Sequence, residues 1–221
     1  MTRDEFQIDV AYHPILRPAA FTTVLPASLG ELRVPSWLTD LLTLNGDVPF
    51  ERSEDIRTAV RNMLRYWGHK PAGRGKPASE YLVRAVGRTE LRSINLAVDL
   101  CNVVSLHSGM PIALIDLNRA EPPFHVAPGR PGESYEFNLS GQVMSLNGLI
   151  CLHDARGPCA NPVKDAQRTK THDGTTQTLT VIWGVVGYEQ QRDAAVTWYQ
   201  TTLRELNAEV VVVPVKMESE P

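Results

Sequence analysis

Residues 92–117, RSINLAVDLCNVVSLHSGMPIALIDL, decide the fold. Ile94, Ala97, Val98, Cys101, Val104 and Leu106 recur at helical spacing, and the run stops at Gly109, a residue that closes helices without steric cost. Pro111 bars a return to helix, and Pro111–Leu117 then reads as a nearly all-apolar strand of the kind found inside a sheet. Asn95, Asp99 and Asn102 lie at i, i+4 and i+7, which places two carboxamides and a carboxylate on one helix face. Buried polar groups must be hydrogen-bonded, so that face either meets water, as a site would, or is satisfied internally.

Upstream, FQIDVAY and AFTTVLPAS predict two short strands separated by HPILRP. A helix is expected from Pro35, with a capping Ser and a stop at Asn45-Gly46, and a second from Ser53 to about Gly68. SEYLVRAVGR predicts a third. Downstream, HVAPGRPGESYEF reads as strand, turn and strand, and GLICLHDA as a further strand. GPCANPVKDAQRTKTHDGTTQ reads as a long polar loop, TLTVIWGVVG as a strand and EQQRDAAVTWYQTTLRELNA as an amphipathic helix. EVVVVPVK is expected to be one strand, too apolar to be fully exposed. The class is α+β, with a mixed or antiparallel sheet, packed helices and a helical segment ahead of the main region.

A length of 221 residues suits one unit over 1–221, made of N-terminal strands and basic helices (1–70), a central region (75–190) and a C-terminal helix and strand (191–221). The opening residues carry both charge signs and no long apolar run, and no later stretch is apolar enough to span a bilayer. Three cysteines, Cys101, Cys151 and Cys159, lack a disulfide-rich spacing, so a cytoplasmic location is the expectation.

The net charge of −3 argues against a general DNA or RNA coat, but the charge is segregated. Residues 51–92 hold ten basic and five acidic side chains, or +5, which leaves −8 elsewhere. Arg57, Arg61 and Arg65 recur every four residues, as do Arg84 and Arg88, with Arg92 next if that helix continues. HKPAGRGKPAS between them is a basic Gly/Pro-rich loop. These stripes are either solvated helix faces or a phosphate-contacting surface.

The ten positions Arg92, Ile94, Asn95, Val98, Asp99, Asn102, Gly109, Pro111, Asp116 and Leu117 resemble the signature of the B3/B4 tRNA-editing domain of the phenylalanyl-tRNA synthetase beta chain. Weaker likeness extends over about residues 75–190. The resemblance implies a B3/B4-type fold and an activity that removes a wrong amino acid from tRNA by ester hydrolysis. It also implies that Asn102 and its neighbour Cys101 line the substrate pocket. Two departures matter. Ala113 stands where the family carries a pocket histidine, and NPVKDAQRTKT replaces a glycine-rich segment bearing a substrate-reading glutamate. Selection of tyrosine through its hydroxyl needs such a polar partner, so a different substrate, or loss of the chemistry, is implied.

The resulting expectation is a free-standing, trans-acting editing hydrolase. Asn102, Asp99, Asp165 and His172 are its catalytic candidates, and Asn95, Cys101, Ala113, Lys164 and Lys170 its substrate-binding ones. Arg57, Arg61, Arg65, Arg84 and Arg88 are candidates for RNA contact. Asp99 has a structural alternative, and Cys101 on an apolar helix reads as packing rather than nucleophile. Lys164 beside Asp165 reads as a water-orienting pair, an anion contact or an exposed ion pair. Cys151, His153 and Cys159 lack a fourth metal ligand, and no P-loop or dinucleotide fingerprint is present, so neither metal nor cofactor is expected. The partners expected are tRNA or aminoacyl-tRNA, or a free amino acid, with neither membrane nor DNA. The competing reading is a non-catalytic binding module for an amino acid, small molecule or protein on the same scaffold.

Overall fold

The computed structural model describes residues 6–88 and 91–220. The opening five residues and the Thr89-Glu90 step toward Arg92 lie outside these, so readings that fall on them are not carried further. Two sheets organise the chain. β1 (Ile8–Val10) runs parallel to both β11 (Val215–Met217) and β4 (Phe124–Pro128), and β7 (Ile150–Asp154) and β8 (Gly157–Ala160) extend that mixed sheet in the order β11-β1-β4-β7-β8. β2 (Ala19–Val24), β3 (Ile112–Asp116), β9 (Gln177–Ile182) and β10 (Glu209–Val213) form an antiparallel sheet ordered β10-β2-β9-β3. A hairpin of β5 (Ser134–Glu136) and β6 (Val143–Ser145) stands apart. The fold is α+β, with both ends of the chain woven into both sheets.

The helices are α1 (Ser36–Asp40), α2 (Glu54–Arg65), α3 (Ala78–Val86), α4 (Leu96–Ser108) and α5 (Glu189–Glu205). α4 is almost wholly buried and packs against α3, α5 and β3, so its apolar positions form the middle of the core. Gly109 closes it at φ +73°, a left-handed conformation that a Cβ disfavours.

Five expectations change. EVVVVPVK is two strands, because Pro214 cannot donate to a ladder and the chain switches sheets there. β10 is an edge strand with Val212 63% exposed, so it is less buried than its composition suggests. Residues 157–177 are not one solvated loop: they include β8 and a 3-10 turn at Gln167–Thr169, with Thr169 fully buried. α3 ends at Val86 with Gly87 as its cap, so Arg88 lies beyond the helix and the four-residue series stops at Arg84. The first helix is also shorter than expected, and Pro35, not Ser36, is its cap.

Candidate functional site

The signature segment builds one wall of a cavity. Asn95 is the N-cap of α4, and its side-chain oxygen accepts the Val98 N–H at 3.0 Å. This satisfies one of the donors that a helix start leaves orphaned. Asp99, although predicted on the same face, is fully buried and turned back toward the entering chain. It accepts from Ser93 Oγ at 2.5 Å and from the Ile94 N–H at 2.8 Å. Its role is to fix the approach to α4, and it does not line the cavity.

Asn95, Val98, Cys101 and Asn102 of α4 face Ile112 and Leu114 of β3 across a cavity of about 550 Å³. Alternation along the strand puts Ala113 on the other side, buried against the sheet and outside the cavity. The opposite wall is a turn that Asn161 organises. The Asn161 side-chain oxygen accepts the Val163 and Lys164 N–H groups at 2.7 and 2.8 Å, and its amide donates to the Tyr135 hydroxyl. Tyr135 in turn donates to the Lys164 carbonyl at 2.5 Å. The turn is therefore locally rigid.

Its rigidity places Asp165. One carboxylate oxygen accepts the Leu114 N–H at 3.2 Å and the other the Asn161 N–H at 3.3 Å. Leu114 belongs to β3, an edge strand, so Asp165 takes a donor that no neighbouring strand reaches. Burial raises the Asp165 pKa to about 7, against the lowering effects of the two N–H groups and the Lys170 charge. A carboxylate that exchanges its proton near neutrality, in a cavity, has the property a general base requires.

Lys164 and Lys170 also line the cavity, and neither neutralises Asp165 directly. Lys164 Nζ lies 4.1 Å from the centre of the Phe137 ring, a cation–π contact. Lys170 Nζ donates to the Phe137 carbonyl at 2.5 Å. Burial lowers the pKa of both, and the charges of Arg74 and Lys170 lower that of Lys164 further. Cys101 reaches the wall, but burial and then the Asp165 charge hold its thiol far above the ordinary value, so it offers no thiolate near neutral pH.

His172 stands apart. Its Nε2 lies 3.2 Å from the buried Asp116 carboxylate and its Nδ1 accepts the Gly174 N–H, so it shapes the turn before β9. Asp116 also accepts from Thr175 Oγ1 at 2.6 Å. Of the predicted site residues, the fold thus gathers Asn95, Cys101, Asn102, Lys164, Asp165 and Lys170, and leaves Asp99, Ala113 and His172 outside. Asn138 and Thr171 were not foreseen as lining residues; Asn138 sits in the β5–β6 turn, closed locally by the Gly141 N–H on its carbonyl and the Gln142 N–H on its side chain.

The basic stripes are partly neutralised. Arg61 grips Glu80 of α3 with two hydrogen bonds of 2.5 and 3.0 Å, and Arg57 contacts both Glu54 and Glu80. Arg65 donates to Asn62. Arg84 is exposed beside Arg52 and Arg57 at a separate cavity of about 440 Å³ between α2 and α3.

A second recess of about 210 Å³ adjoins the first and shares Ala78, Cys101, Asn102, Ile112 and Lys164 with it. Leu82 and Val163 make it apolar, and the Ser105 hydroxyl there is committed to the Met110 carbonyl at 2.8 Å.

Comparison with known proteins places these elements in context. The B3/4 domain matches residues 66–193, more than half of the chain. Over 83 residues the chain is 35% identical to the phenylalanine–tRNA ligase beta subunit of Nitrosospira multiformis, an alignment covering 35% of this chain and 10% of that protein. The chain therefore spans only a small part of that relative's length. The fold resembles an N-terminal fragment of the phenylalanyl-tRNA synthetase beta-subunit from Pyrococcus horikoshii, with a TM-score of 0.51 and 11% identity over 99% of this chain and 54% of that one.

Proposed function

Because the chain belongs to the B3/4 domain family, we propose that it is a trans-acting aminoacyl-tRNA deacylase of the cytoplasm, which binds a tRNA bearing the wrong amino acid and hydrolyses the ester. The observation that carries this reading is Asp165, a carboxylate with a pKa near 7 that shares a cavity with Asn102. An aminoacyl ester is activated, so a positioned water and a stabilised oxyanion suffice, without a protein nucleophile.

In this mechanism ionised Asp165 accepts a proton from water as the water oxygen attacks the ester carbonyl. The Asn102 amide and the Lys164 ammonium donate to the developing oxyanion. Collapse breaks the bond to the ribose oxygen, which takes up the proton, leaving free amino acid and uncharged tRNA. The apolar recess beside Leu82 and Val163 suits an aliphatic side chain.

The test is deacylation of a panel of tRNAs mischarged with aliphatic and aromatic amino acids. Asp165→Asn should lower kcat by about 10²–10³-fold, and Asn102→Ala by about 10-fold or more, with folding intact by circular dichroism. An Asp165→Asn variant as active as wild type would remove the mechanism. An inactive wild type on the whole panel would remove the function.

One observation favours a second reading, an amino-acid-binding module. A carboxylate, two ammonium groups and carboxamides are also the groups that hold a free zwitterion, with Asp165 on its ammonium and Lys164 or Lys170 on its carboxylate. That reading expects thermal stabilisation by a free aliphatic amino acid and no ester cleavage.

A further inference from the structure

The loop after α2, residues 68–75, is basic and fixed in place. Ala72 N–H donates to the Lys70 carbonyl and Gly75 N–H to the Ala72 carbonyl, both at 2.8 Å. The Tyr81 hydroxyl holds the Gly73 carbonyl at 2.9 Å, and His69 Nε2 lies 2.8 Å from the Gly75 carbonyl. Gly75 is needed there, because a Cβ would come within 2.9 Å of the His69 ring. The result is a rigid loop from which Lys70 and Arg74 project as exposed side chains. Among the described residues neither is in an ion pair.

This loop forms one wall of a groove of about 480 Å³ whose other wall is the β5–β6 hairpin, with Val143 62% exposed and Met144 beside it. Among the described residues no acidic side chain lines the groove. Phe137 and Lys164 line both this groove and the cavity that holds Asp165, so the two spaces meet at that pair. The pKa of Lys164 is lowered first by burial and then by repulsion from Arg74 and Lys170, so the cations of the loop and of the cavity converge at that junction.

A cationic wall facing an apolar wall is the surface a single-stranded polynucleotide fits, with its phosphates on one side and its bases on the other. An acidic peptide would use the cations but not the exposed Val143 and the half-buried Met144 beside it. Building on the deacylase reading, we propose that this groove receives the single-stranded 3′ end of the tRNA. Lys70 and Arg74 bind its phosphates, Val143 and Met144 contact its bases, and the terminal aminoacyl ester passes Lys164 to reach Asp165.

The probe is a fluorescent RNA hairpin with a short single-stranded 3′ tail, beside the same hairpin without the tail, titrated at several salt concentrations. Wild type should bind the tailed hairpin more tightly. Lys70→Ala/Arg74→Ala should weaken that binding about 10-fold or more and reduce the slope of log affinity against log salt by about 1.4, two single-strand phosphate contacts' worth. Val143→Asp should weaken tail binding without reducing the number of cations. Equal binding of both hairpins, an unchanged salt slope in the double variant, or absence of RNA binding would each overturn the groove assignment. Ester cleavage is scored separately. Tail-dependent binding without cleavage removes the deacylase reading and keeps the groove; cleavage with an unaltered KM in the double variant does the reverse.

Discussion

The α2–α3 face and the cavity beside α4 each set a central carboxylate, Glu80 or Asp165, beside two cations, with Glu54 also paired to Arg57 on the helix face, and they reach opposite electrostatic ends. At the helix face Glu80 is gripped by Arg61 and approached by Arg57. Burial works against its ionisation, but the Arg61 hydrogen bonds and charge, with those of Arg57, hold its pKa below the ordinary value. In the cavity Asp165 is bound by backbone N–H groups, and its two lysines are held by the Phe137 ring and the Phe137 carbonyl. The carboxylate is pushed up to about 7 and both lysines down. A paired cluster spends its field internally; a separated one keeps it for a ligand.

Merging the two behaviours should break the site. Lys170→Met removes the charge that pulls the Asp165 pKa down. The pH at which deacylation levels off should then rise, so that kcat/KM at pH 7 falls about 3–10-fold and recovers toward pH 9. Rate profiles of wild type and variant across that range decide it: a uniform loss at every pH would mean that Lys170 only packs against Phe137.

Much of the helix face was legible in the sequence, and much less of the cavity. The cap at Ser53, whose side chain accepts the Ile56 N–H at 3.1 Å, and the stop at Gly109 follow from local chemistry and sit where the residues imply. The arginine spacing was equally plain. It counted cations but not Glu80, which comes from another helix. Asp165 was legible as a residue of interest, but its environment depends on the Leu114 N–H, 51 positions away along the chain. Asp99 and Asn102 are three positions apart on one helix, yet one is consumed by Ser93 and Ile94 and the other faces the cavity. Periodicity assigns a face; only the tertiary contacts say whether its polar groups are already satisfied.

A smaller effect probes the paired cluster. Glu80→Gln keeps the shape but leaves Arg57 and Arg61 without their shared anion. It should cost about 1–2 kcal/mol, discounted for the partial exposure of the pair, which corresponds to a fall in Tm of about 2–8 °C for a chain of this size. Turnover of a mischarged tRNA should change less than about twofold, because Glu80 lies outside the Asp165 cavity. Thermal melts and kcat measured on one preparation separate the two readouts. A large loss of kcat at unchanged Tm would place the helix face in the chemistry and erase the contrast.

The most discriminating effect is the pH dependence of stability, where the two carboxylates act with opposite sign. Glu80 has a lowered pKa in the folded state, so its contribution is present above the unfolded value of 4.5 and is lost as pH falls through the folded one. Asp165 has a raised folded pKa of about 7 against 3.8, so its contribution is present below 3.8 and is lost as pH rises through about 7. His13 adds a slope of the reverse sense between about 4 and 6.5, because burial lowers its pKa to about 4 and folding disfavours its protonation there. The quantity to measure is therefore the stability of wild type minus that of Asp165→Asn by urea unfolding, in which the His13 contribution cancels. That difference should decline from pH 4 to 7 by no more than about 1.4 kcal/mol per pH unit and level off above. The corresponding difference for Glu80→Gln should be flat from about pH 4.5 to 7 and shrink only below about pH 4.5. A wild-type-minus-Asp165→Asn difference that stays flat to pH 7 would mean the cavity carboxylate is as well paired as the one on the helix face, and would remove it as a base.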